Sequence, residues 1–90
     1  MINKKLREYL EQEGFNCILL ENPSFDNSIV GFSDTGSLIY DFDMMTEELH
    51  SDENMIREEA VEYIAYNTMR ALNYMGEHRP IILNRFEGVV

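Results

Sequence analysis

The chain is poor in several things. A single cysteine, Cys17, excludes an internal disulfide framework, and its apolar neighbours Ile18, Leu19 and Leu20 make it read as a buried, inert thiol. A free thiol fits a reducing cytoplasm. Tryptophan is absent and there are only two prolines. No apolar run approaches the roughly 18 residues that a membrane span needs. The opening residues, Met1 to Leu6, lack the apolar stretch of a secretion signal. These absences predict a soluble protein of the cytoplasm. Basic residues are also scarce, 7 against 17 acids, for a net charge of −10 over 90 residues. So large an excess of acid opposes direct binding to nucleic acid or anionic lipid and favours basic protein surfaces.

What is present is enough for one domain. With 44% hydrophobic residues, the chain can bury a core without staples. Residues 2–13 predict a short amphipathic helix, with Ile2, Leu6, Tyr9 and Leu10 on one face, Lys4–Glu8 and Arg7–Glu11 as i,i+4 pairs, and Gly14 as its stop. Phe15 to Glu21 reads as a strand ended by Asn22-Pro23-Ser24. Residues 28–33 and 37–42 read as a hairpin closed around Asp34-Thr35-Gly36, with Gly36 free to take positive φ. Asp41 or Asp43 is expected to cap a helix running to about His50, with Met44, Met45 and Leu49 inward.

Asn54 is expected to cap a longer helix from Met55 to Met75, stopped by Gly76 and Pro80. Ile56, Ala60, Ile64, Thr68, Ala71, Leu72 and Met75 fall on one face of it. Ile81-Ile82-Leu83 predicts a last short strand. The order α-β-β-β-α-α-β implies an α+β fold of two layers, a small antiparallel sheet of three to four strands with helices on one face.

No catalytic motif emerges, and the sequence predicts a non-enzymatic protein without metal or cofactor. Glu47 and His50 have ligand spacing but no third partner, and His78 stands alone. Asp41-Phe42-Asp43 begins like a calcium loop but lacks the glycine at its sixth position. Cys17 has no visible base.

Two features point to binding. Between Asp41 and Glu62 stand nine acids and one base, Arg57. Of these, Glu47, Glu48, Asp52, Glu53, Glu58, Glu59 and Glu62 are the candidate contacts to a basic partner. Beside them, Tyr63, Asn67, Arg70 and Tyr74 form a stripe along the long helix, and Tyr63 and Arg70 are candidate anchors, being residue types enriched in binding hot spots. Tyr66 and Met69 offer a further small apolar patch. The alternative for the stripe is a structural one, with its tips bonded within the fold; the alternative for the acidity is solubility alone.

The run from Gly31 to Leu83 includes Tyr40-Asp41-Phe42-Asp43-Met44, Glu62-Tyr63-Ile64, Tyr66-Asn67-Thr68-Met69-Arg70-Ala71-Leu72 and Tyr74-Met75-Gly76-Glu77. It resembles a family of small acidic proteins of Gram-positive gut bacteria and their prophages or mobile elements. The family carries no catalytic residues over to this chain. Small acidic proteins of such elements include anti-CRISPR and other counter-defence inhibitors of nucleic-acid-handling enzymes. By class and size the resemblance implies an inhibitor; charge complementarity predicts that it acts through its negative surface on a basic groove, and a monomer or homodimer is expected. The alternative is a small interaction or assembly module whose acidity serves only solubility.

Overall fold

Turn chemistry builds the hairpin in the computed structural model, which describes residues 4–12, 18–21 and 23–86. The Gly36 N–H donates to the Ser33 carbonyl at 3.0 Å, and Gly36 takes φ +87°, a conformation that only glycine adopts without strain. Ser33 adds its hydroxyl as an acceptor for the Ser37 N–H at 3.1 Å. The turn joins β1 (Ile29–Phe32) to β2 (Leu38–Asp41) in antiparallel register, with Ile29 opposite Tyr40 and Phe32 opposite Leu38. Gly31 pairs with Ile39, so Val30 is the extra residue of a bulge.

Around this hairpin the order is α1 (Lys4–Gln12), a single 3-10 turn (Asp26–Ser28), β1, β2, α2 (Phe42–Asp52), a long helix α3 over residues 57–72, and β3 (Ile81–Leu83). The class is α+β. The sheet has the order β1-β2-β3 and is mixed, because β3 runs parallel to β2 with Tyr40 opposite Ile82. This corrects the fully antiparallel expectation. Parallel neighbours need a crossover of a dozen residues or more, and α2 with α3 supplies it.

The strand expected over residues 15–21 is not there in its described part: residues 18–21 are irregular, and 15–17 lie outside the described residues. Leu20 is buried nonetheless. Its N–H donates to the Tyr40 hydroxyl at 3.0 Å, so a side chain replaces the ladder partner that a strand would have required.

The core gathers Leu10, Leu20, Phe25, Leu38, Tyr40, Met45, Leu49, Ala60 and Ile64. Strand alternation sends Leu38, Tyr40 and Ile82 toward it and leaves Ile81 and Leu83 partly in water. Phe25 is fully buried at φ 52°, an uncommon backbone for a bulky residue, held where its ring fills the core.

Asp41 caps α2, accepting from the Met44 N–H at 3.0 Å. The long helix departs from expectation at its start. Asn54 is left-handed at φ 59°, and the N-cap position falls to Ile56, which has no polar side chain and is exposed. Ala60, Ile64 and Thr68 are buried as expected, and Ala71, Leu72 and Met75 are half-buried. The helix is continuous, with α turns at Arg57–Tyr63 and Arg70–Leu72, but between them Ile64–Met69 widens into π turns. There the Asn67 side-chain amide donates to the Tyr63 carbonyl at 3.1 Å, a side-chain insertion of the kind that relaxes the regular ladder. Gly76, at φ +87°, lies just past the last turn.

Candidate functional site

The acids of α2 and α3 meet because these two helices pack on each other across the loop at Glu53 to Ile56. Local bonds fix that corner. The His50 ring Nδ1–H donates to the Met55 carbonyl at 2.7 Å, and the Glu53 N–H donates to the Leu49 carbonyl at 3.0 Å. His50 is therefore used in closing the loop. His78 acts similarly elsewhere, donating from Nδ1 to the Thr35 carbonyl at 3.0 Å and pinning the hairpin turn. Among the described residues no group of three or more His, Cys, Asp or Glu is placed to hold a metal ion.

Along this corner runs a chain of depressions that share residues. At one end, Glu48, Asp52 and Glu53 stand over Pro23, Phe25 and Leu49. The next, about 330 Å³, is floored by Pro23, Leu49, Met55 and Tyr63 and again edged by Glu53. A third, about 290 Å³, takes up Met55 and Tyr63 and adds Glu59, Glu62, Tyr66 and Asn67. These three adjoining depressions make up the groove, lined by the apolar Pro23, Leu49, Met55 and Tyr63 and by carboxylates from both helices.

Of the nine candidate contacts, this groove brings together Glu48, Asp52, Glu53, Glu59, Glu62 and Tyr63. Glu47 lines a further hollow with Asn27, Met44, Ser51 and, again, Glu48 and Asp52. It is also engaged by Arg57 at 2.5 Å, in an exposed pair of little energetic weight. Glu58 and Arg70 are exposed but stand outside these depressions. Of the helix stripe, Tyr63 is half-buried, Asn67 and Arg70 are exposed, and Tyr74 is almost wholly in water.

The carboxylates differ electrostatically. Burial pushes the Glu48 carboxyl up, and nearby Asp52 and Asp26 add to the effect against the hydroxyl of Ser28, which donates to Glu48. Asp41 goes the other way. Its burial favours the neutral acid, but the hydrogen bond from Arg85 Nε at 2.7 Å, the Met44 N–H and the charge of Arg85 outweigh it and hold the carboxyl low.

The sequence reading missed three groups that shape the site. Asp26, buried, receives both prongs of the Arg7 guanidinium and so ties α1 to the turn beneath Glu48. Pro23 and Met55 form the groove floor. Tyr66 and Asn67, which also line the groove, did carry a sequence signal, as part of the small patch with Met69 and of the helix stripe. Comparison with family models, with curated proteins and with solved structures returns no match. Among the described residues no helix is long and apolar enough to cross a membrane.

Proposed function

We propose that this chain is a binding protein without enzymatic activity, which sets its acidic groove against a basic surface of another protein. A cleft built for phosphates, as in a nucleic-acid-handling enzyme, has the matching charge, and a mobile-element inhibitor of such an enzyme is the role that fits best. One observation carries the reading: carboxylates from two helices line adjoining depressions built around Pro23, Leu49, Met55 and Tyr63. Gathering like charges costs stability, so the arrangement favours a use for them. Complementary charge also speeds encounter and makes association salt-sensitive. The reading assigns no catalytic residue and no cofactor.

The test is capture of a partner from host lysate, followed by reversal of Asp52, Glu53, Glu59 and Glu62 to Lys. These four are exposed, so the variant should keep its fold. At roughly 1 kcal/mol per contact, affinity should fall by a factor of about a thousand, with a flatter salt dependence. A folded variant that holds its partner with unchanged affinity and salt dependence would end the proposal.

A second reading, an assembly module that pairs with itself, draws on the outer sheet surface, where Val30, Ile81 and Leu83 remain 41–50% exposed. Sedimentation equilibrium tests it: a concentration-dependent dimer abolished by Ile81→Lys supports the sheet-face module, and a monomer at all concentrations ends it.

A further inference from the structure

From the Tyr66 end of the groove we infer that it is a seat for an arginine side chain of the partner protein. The inference rests on the acidic-groove reading and sharpens it to one ligand group. Glu59, Glu62, Tyr63 and Tyr66 fall at i, i+3, i+4 and i+7, so one face of α3 presents two carboxylates beside two phenol rings. All four line one open depression of about 290 Å³, together with Met55.

The free valences there suit a cation. Neither Glu59 nor Glu62 forms an ion pair among the described residues, whereas Glu47 is taken by Arg57 and Glu48 by Ser28. Glu59 accepts only a long 3.4 Å bond from the Ile56 N–H. Asn67 spends its amide on the Tyr63 carbonyl and does not compete for the rim. Tyr66 leaves 67% of its surface in water, a large aromatic area open to contact.

Guanidinium fits this better than ammonium. It is planar and weakly hydrated, stacks on a phenol ring and keeps its edge donors for carboxylates. The ammonium of lysine is strongly hydrated, and an open depression strips little of that water. Met55 supplies an apolar, adaptable wall for the side-chain stem.

The experiment titrates the intact protein with hexa-arginine, hexa-lysine and hexa-citrulline at one salt concentration, following affinity by calorimetry and the tyrosine ring resonances by NMR. Hexa-arginine should bind about five- to tenfold more tightly than hexa-lysine and shift the rings of Tyr63 and Tyr66. Hexa-citrulline, its neutral counterpart, should not bind. The double variant Tyr66→Ala, Glu62→Gln alters only exposed side chains; it should keep its fold by circular dichroism and lose the preference for arginine. Equal affinity for arginine and lysine, binding of citrulline, or a preference that survives in the double variant overturns the inference. Reversal of Asp52 and Glu53 to Lys distinguishes the two levels. If it weakens both cationic peptides while the arginine preference persists in the double variant, only the arginine seat fails. If neither variant weakens either peptide, the acidic-groove reading fails with it.

Discussion

Arg7 and Asp26 lie 19 positions apart and meet through two bonds, Nε to Oδ2 at 2.7 Å and Nη2 to Oδ1 at 2.9 Å. Asp26 is buried and Arg7 mostly so, with Glu21 reaching the same guanidinium at 3.6 Å. A two-pronged pair in this setting fixes α1 against the body of the fold, because the planar fork tolerates little rotation. Removing one partner leaves the other charge poorly solvated. Asp26→Asn should therefore cost about 2–4 kcal/mol in chemical denaturation. A midpoint and slope equal to wild type would show that the pair contributes nothing to stability. The sequence places Arg7 with Glu11 one helical turn away; the structure gives it to a buried carboxylate in a turn. Local spacing reveals which residues lie within reach along a helix. It carries no information on a partner brought up by the rest of the chain, and Arg85 with Asp41 is a second example.

At the scale of elements, the legible parts are those that local chemistry decides. The Ser33–Gly36 turn sets the hairpin through one left-handed glycine, and the 3.6-residue period of Ala60, Ile64 and Thr68 sets the inward face of α3. What escaped depends on tertiary partners. The apolar run ending at Leu20 looks like a strand, but the Leu20 N–H is satisfied by the Tyr40 hydroxyl, and β3 takes its direction from the crossover rather than from its own three residues. Widening of α3 at Ile64–Met69 leaves no mark in the apolar pattern, since Ile64 and Thr68 stay buried through it. Rotation of this helix has a direct test. Ile64→Asp places an unpaired charge at a position with no exposed surface and should cost about 3–5 kcal/mol, a large part of a small domain's stability. Glu62→Ala, two residues away and exposed, should change stability by less than about 0.5 kcal/mol. Comparable thermal melts for the two variants would contradict the placement of α3.

Across the whole molecule, the acidity was plain in the composition, while its arrangement was not. Glu53 and Glu59 line adjoining depressions because α2 and α3 close on each other, and Glu58, adjacent in sequence, lines neither. The same arrangement predicts how stability follows pH. Glu48 has a carboxyl raised by burial, so its contribution is fully present below the ordinary glutamate pKa of about 4.3 and is lost as pH rises through its higher folded value. Mutual repulsion of the other acids acts in the same direction. Asp41 has the opposite sign. Its contribution is present above the ordinary aspartate value of about 3.9 and is lost as pH falls through the lower value imposed chiefly by Arg85 against burial. Thermal stability should therefore peak on the acid side of neutrality, above the pH at which Asp41 is protonated. Glu48→Gln separates the single group from the general repulsion, because the neutral amide can still accept the Ser28 hydroxyl. Its melting temperature should exceed that of wild type at pH 7 and converge on it as pH falls and Glu48 itself takes a proton. A variant whose melting curve tracks wild type from pH 4 to 8 would mean that the Glu48 carboxylate is no burden to the fold, and that the drop toward neutrality belongs to the acidic surface as a whole.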